Sequence, residues 1–469
     1  MKKRILRIVG IILILGLAGG IYYIHLLTPI ITGYAAKNLA SGVFVGNRTQ
    51  ESIESTDLNF SFIKYTNNKV DFEKKEVTSR FLWASSKAIY IEGFGCTLVR
   101  GNEDEIRNRP YTIVPLPAIN PDTVAWPAGD KLADTIPNDI DQIMLNKAIV
   151  DAFDDREGNK GTFAIAIAYK NQLIAEKYKD GFSEKNRFLS WSMAKSFTHA
   201  LVGIMVKKGL MDIKQPADIP EWKNDKRAAI TIENLMHMNS GLEWNENYGN
   251  LSDVTLMLHN AVDMAEFTYN KPLVVRPDSV WLYNSGATNI VSYLIRKKID
   301  NDAEYYAFPR RELFNPTGMR SAIFETDASG TLAGSSYIYA SMRDYVRFGL
   351  LYLNKGNWLG QQILPEGWTG NAIEPANGSN GRYGSFFWLN QSNDYPHVPQ
   401  DLYMCQGHDG QYIYIVPSLE LVVVRTGFSK KGDFDFPAFL TSIVNAIATK
   451  NKEPEISSMN TDIKTRGIR

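Results

Sequence analysis

The sequence predicts an α+β fold in which an antiparallel β-sheet, flanked by helices, is split by an inserted and mainly helical subdomain. Three observations point there. Residues 163–169 and 173–178 are two β-prone runs separated by a turn at Lys170-Asn171-Gln172, a hairpin signature. Two more β-rich runs, residues 411–416 and 419–425, return near the end of the chain and meet at Pro417-Ser418. Between the two pairs, residues 210–345 carry mainly helical periodicity.

The chain opens with Met1-Lys2-Lys3-Arg4, and no Asp, Glu, Lys or Arg occurs from Ile8 to Ala36. As a helix, this run is long enough to cross a bilayer core of about 30 Å. Basic residues ahead of it place the N-terminus in the cytoplasm and the remainder outside, on the periplasmic side of an inner membrane. Residues 1–36 are therefore expected to be a membrane anchor. The alternative is a signal segment, with Ala18 and Gly20 offering a processing site and a secreted product. Residues 37–145 mix short apolar runs with turn-rich pieces at 115–121 and 126–130, and read as an N-terminal extension laid over a domain at 146–450. Residues 451–469 read as a loose polar tail. Within the domain, Thr231 is placed to cap a helix over 232–238 with Gly241 past its end, and a final helix is expected over 436–449.

Composition narrows the function classes. A chain of 469 residues with 44% hydrophobic content can bury a large core, so disorder as a whole is excluded. Lys plus Arg and Asp plus Glu are both 51, which leaves no net field to favour a nucleic-acid partner. Cys96 and Cys405 are the only cysteines and lack the spacing of a zinc site; a disulfide and two buried free thiols are both open. No metal or cofactor is expected.

The most informative segment is Ser192-Met193-Ala194-Lys195. On a helix, residues three apart share a face, so an amine can stand beside a hydroxyl and take its proton. The pattern occurs about once or twice by chance in a chain of this length, and it does recur at Ser61 and Lys64. That copy lies in a nearly alternating strand-like or loop stretch, where the two side chains would diverge. Around Ser192, Met193, Phe197, Leu201, Ile204 and Met205 recur at steps of three and four, and Gly209 offers a stop.

Acyl transfer also needs a proton donor and groups to hold an oxyanion. Tyr283-Asn284-Ser285-Gly286 precedes an apolar-periodic stretch, which places Tyr283 in a loop at a helix start. Gly407-His408-Asp409-Gly410 opens the strand beginning at Gln411, where two glycines permit close approach. Arg425-Thr426-Gly427 ends a strand and reads as structural.

Taken in order, Ser-x-x-Lys, Tyr-x-Ser and His-x-Gly resemble the motifs of serine hydrolases related to class C β-lactamases and penicillin-binding proteins. The likeness is greatest to the 6-aminohexanoate-dimer hydrolase and carboxylesterase branch. It extends over roughly residues 145–450 and includes the stretches 235–244 and 340–350. The resemblance implies a β-lactamase/transpeptidase-like fold and an acyl-enzyme on Ser192, with Lys195 and Tyr283 as the base system. It further implies that Tyr283 carries a proton made labile by Lys195 and passes it to the leaving group. Ser285, His408 and Gly410 would support the substrate, and the backbone NH groups of Ser192 and Gln411 would form the oxyanion hole. Relatives acting on β-lactams or peptide C-termini usually carry Tyr-x-Asn and Lys-Thr-Gly. A histidine is mostly neutral at pH 7, so His408 should hold a carboxylate less well, and a small ester or linear amide is the better substrate. The alternatives are a D-alanyl peptidase or β-lactamase, and a ligand-binding member that no longer turns over. An α/β-hydrolase is disfavoured because no Gly-x-Ser-x-Gly occurs.

Overall fold

The computed structural model describes residues 2–156 and 160–448, so the expected tail at 451–469 lies outside the described residues. Among them, the principal sheet has six antiparallel strands in the order Trp388–Leu389, Tyr403–Gly407, Gln411–Val416, Leu421–Gly427, Thr162–Tyr169 and Gln172–Tyr178. The early hairpin therefore docks beside the late one: Val424 pairs with Ala166 and Val422 with Ala168. Everything between residues 179 and 387 is inserted into this sheet. Lys170 and Asn171 both take positive φ (49° and 61°), the conformation a two-residue hairpin turn requires.

Strand alternation sets up a three-layer domain. Ile165, Ile167, Val423 and Tyr414 face the terminal helices Gln142–Ala152 and Phe436–Ala448, burying Leu145, Ile149, Leu440 and Ile443. The opposite face presents Ala164, Ala166, Ala168, Val422 and Val424 to the helices Ala194–Lys207 and Met342–Leu353. Small residues there let a helix lie close. A Cβ on Gly349 would sit 2.5 Å from Val422 Cγ1, so glycine is required at that contact.

The N-terminal region is more built than an overlying extension. One helix, Lys2–Phe44, runs through the boundary expected after Ala36. Its first part is exposed as far as His25, whereas Ile31, Ala35, Ala36, Leu39 and Ala40 are buried against a separate four-stranded meander. That meander, Asn67–Asp71, Glu76–Phe81, Ala84–Ile91 and Gly95–Leu98, pairs in chain order and supplies Val77, Ala88 and Cys96 to the contact. A buried ion pair between Lys37 and Glu325 ties the helix to the segment inserted into the principal sheet, and Ser41 Oγ donates to the same carboxylate at 2.8 Å. The boundary is displaced because the apolar character that suggests a membrane segment continues into residues that serve a protein core. Cys96 and Cys405 are buried free thiols in different sheets, so the disulfide alternative is not realised.

Candidate active site

Ser192 lies in a single 3-10 turn, Trp191–Met193, that leads into the helix Ala194–Lys207, rather than in the helix proper. The turn is entered through Trp191 at φ 44°, a strained conformation for a bulky residue. Packing holds it: the Trp191 indole stacks on Tyr34 with centroids 6.2 Å apart and meets Tyr337, Tyr248 and His408. The turn abuts the neighbouring strand so closely that a Cβ on Gly407 would lie 2.3 Å from the Ser190 carbonyl.

The three-residue spacing brings the amine to the hydroxyl. Lys195 Nζ donates to Ser192 Oγ at 2.9 Å, to Ser285 Oγ at 2.9 Å and to the Ser335 carbonyl at 3.1 Å. The Lys195 side chain is 1% exposed, and this burial pushes its pKa down to about 8, although the Glu246 carboxylate acts in the opposite direction. A substantial share of the amine is therefore neutral near pH 8. The second copy of the pattern has no such geometry: Ser61 sits in a turn at φ 44° and both Ser61 and Lys64 are exposed.

Tyr283 stands just before the helix Ser285–Ile299, whose cap is Asn284, accepting from the Ala287 NH at 2.9 Å. Its ring lies 4.9 Å from Lys195 Nζ. Burial, reinforced by Glu246, raises the phenol well above its ordinary range, while a hydrogen bond with the Ser192 side chain only partly offsets this. Tyr283 thus keeps its proton at neutral pH.

Ser285 links Lys195 to a carboxylate that the motifs do not mark. Its hydroxyl donates to Glu246, and its backbone NH donates to Glu246 Oε2 at 3.0 Å. Trp244 Nε1 also donates to Glu246, at 2.5 Å, and Tyr248 Oη at 3.4 Å. In the sequence, Glu246 follows the matched stretch 235–244 in a polar segment that reads as solvated loop. Nothing local reveals that it folds back under Ser285.

His408 stacks on Tyr248 with centroids 4.5 Å apart and 16° between planes. The side chain is still 40% exposed; desolvation by the groups around it lowers the imidazole pKa from its ordinary value, against the opposing Glu246 carboxylate, which favours the neutral form at pH 7. Gly410, at φ 90°, has no room for a Cβ, which would sit 2.4 Å from the Arg425 guanidinium. Arg425 is structural, as expected, donating to the Gly410 carbonyl at 2.7 Å and to Thr162 Oγ1 at 2.9 Å. Gln411 uses its side chain to clamp strands, its Nε2 donating to the Gly427 carbonyl at 2.6 Å and its Oε1 accepting from the Gly427 NH at 3.1 Å. Ser192, Lys195, Tyr283 and Ser285 therefore form one cluster. His408 joins it through Trp191 and Tyr248, and Gly410 and Gln411 shape the turn beside it. Beyond Tyr283 lie Trp388, Tyr383 and Trp281, an aromatic group absent from any motif, with Tyr283 and Trp388 centroids 5.3 Å apart.

Comparison with known proteins identifies the family. A 6-aminohexanoate-dimer hydrolase of Paenarthrobacter ureafaciens is 22% identical over 229 residues, 45% of this chain and 57% of the relative, so the chain spans little more than half of that protein. Among solved structures, a Bacillus anthracis protein provisionally described as a 6-aminohexanoate-dimer hydrolase superposes with a TM-score of 0.58 at 22% identity, covering 74% of this chain and 93% of that one. A family VIII carboxylesterase gives 0.52 at 13% identity, covering 68% and 100%. The model of the Beta-lactamase family matches residues 146–437, which spans the principal sheet, the helical insert and every residue of the cluster: this chain belongs to the Beta-lactamase family, as one of its serine hydrolases.

Proposed function

We propose that the protein cleaves a small ester or linear amide through an acyl-enzyme on Ser192. The observation that carries this reading is the 2.9 Å contact between Ser192 Oγ and the buried amine of Lys195. With the amine neutral, Lys195 takes the Ser192 proton as Oγ adds to the carbonyl carbon. The backbone NH groups of Ser192 and Gln411 stabilise the oxyanion. Tyr283, which holds its proton, donates it to the departing oxygen or nitrogen and is reprotonated from Lys195. Water then adds to the ester on Ser192 and gives a proton to Lys195, which returns it to Ser192 Oγ as the acid leaves.

His408 supports the choice of substrate. A neutral, ring-stacked imidazole offers no fixed positive charge for a carboxylate, whereas the half-buried rings of Trp388 and Trp281, packed on buried Tyr383, offer apolar area to a neutral chain. The amide relative and the carboxylesterase neighbour are in keeping with both bond types. The helix starting at Lys2 supports membrane anchorage, being long and apolar enough to cross a bilayer and exposed over that stretch. The test is labelling of the full chain by a fluorophosphonate probe. Stable labelling that disappears in Ser192→Ala, together with hydrolysis of p-nitrophenyl butyrate, is the expected result; labelling that survives the substitution rejects Ser192 as nucleophile.

A further inference from the structure

The meander carries exposed apolar residues that the hydrolytic site does not use, and their position is fixed relative to the N-terminal helix. Arg7 and His25 bracket the exposed apolar run and lie about 27 Å apart along the helix at about 1.5 Å per residue. That matches a hydrocarbon core of about 30 Å. At the His25 end, Trp83 Nε1 reaches His25 Nδ1 at 3.2 Å, with the two rings stacked at 24°. The tip of the hairpin joining Glu76–Phe81 to Ala84–Ile91 is therefore level with the point where the helix leaves its apolar stretch. Leu82 at that tip is 63% exposed and Trp83 56%. Phe62, also 56% exposed, lies beside Phe81 with centroids 6.3 Å apart. Tyr22 and Tyr23 are exposed on the helix at the same level.

We propose that this patch, Leu82, Trp83 and Phe62, inserts into the boundary between headgroups and acyl chains of the bilayer and seats the catalytic part against the membrane surface. The inference rests on the reading of the N-terminal helix as a membrane segment. Its physical basis is continuity: the exposed patch adjoins the exposed apolar helix through a direct Trp83–His25 contact. An indole that is more than half exposed with its NH engaged is suited to an interfacial position. A consequence follows for the site. Tyr34, nine residues past His25 and so about 14 Å further along the helix, stacks on Trp191 next to Ser192. The docked patch would thereby hold the nucleophile turn at a set height above the lipid.

The experiment uses the full chain in palmitoyl-oleoyl-phosphatidylcholine nanodiscs, with an environment-sensitive dye on Leu82→Cys or, as an independent variant, Phe62→Cys. Cys96 and Cys405 are buried and leave the introduced thiol as the reactive one. Lipids with a spin label near the top of the acyl chain should quench either dye about twofold or more, as for a group about 5–10 Å into the boundary. A dye on Ile143→Cys, 83% exposed on the helix Gln142–Ala152 outside the patch, should be unaffected. Dyes at 82 and 62 that remain in water overturn the proposal, as do dyes shielded from water but not quenched by lipid, which would mean that a second copy covers the patch. A dye on Leu13→Cys reports the helix separately: quenching there without quenching at 82 and 62 retains the anchor and rejects the docking.

Discussion

Ser285 donates its hydroxyl to the Glu246 carboxylate while the same oxygen accepts from Lys195 Nζ at 2.9 Å. A negative charge thus reaches the buried amine through one hydroxyl. Through this link the Glu246 carboxylate acts to raise the Lys195 pKa, against the burial that lowers it. Glu246→Gln should therefore lower the Lys195 pKa, because the carboxylate raises it. The rising limb of kcat/KM against pH should move to lower pH in this variant, with the fold retained as judged by circular dichroism. An unmoved limb would limit Glu246 to holding Trp244 and Tyr248.

The pH dependence of the native protein follows with its sign. In the proposed mechanism the active form of Lys195 is the neutral amine, so kcat/KM for p-nitrophenyl butyrate should rise with pH through about 8 and level off above it. Lys195→Ala should abolish this limb and cost about 100-fold to 10,000-fold in rate. Near-native turnover in the variant would remove Lys195 from the chemistry.

Tyr283→Phe separates proton donation from binding. A p-nitrophenolate leaves without a proton, whereas an alkoxide or amine does not. The variant should thus lose about 100-fold or more on a butyl ester or linear amide and far less on the nitrophenyl ester. Equal losses on both substrates would assign Tyr283 to packing instead.

Penicillins should be poor substrates beside short-chain esters, because neutral His408 offers no fixed cation for the carboxylate. The check is kcat/KM for benzylpenicillin against p-nitrophenyl butyrate. A larger value for the penicillin would overturn the role given to His408.

The N-terminal helix carries stability as well as position. Removal of residues 1–36 deletes Ile31, Tyr34, Ala35 and Ala36 from the core, and loss of a buried aromatic alone costs about 3–5 kcal/mol. A chain starting at Lys37 should unfold at markedly lower temperature or aggregate, whereas one starting at Leu27 should keep the native unfolding temperature in thermal melts.

The strands flanking a helical middle and the order of the three motifs were legible because they depend on local periodicity and on spacing along the chain. Ser192 with Lys195, Tyr283 before a capped helix, and the turn at His408 all belong to short segments whose residues lie close in sequence. The continuation of the first helix past Ala36 was not legible, since apolar residues look alike whether they meet lipid or protein. Glu246 was hidden for a related reason: a carboxylate in a polar stretch looks solvated until a distant serine and two aromatic rings close over it.

Sequence by itself determined that a hydroxyl and an amine lie one helical step apart, because backbone geometry fixes residues three apart on one face. Tertiary structure alone decided their surroundings. Burial by the insert and the sheet strips water from Lys195 and lowers its pKa, the same desolvation keeps Tyr283 protonated, and Glu246, 39 residues before the Ser285 it bonds, acts against the first of these shifts.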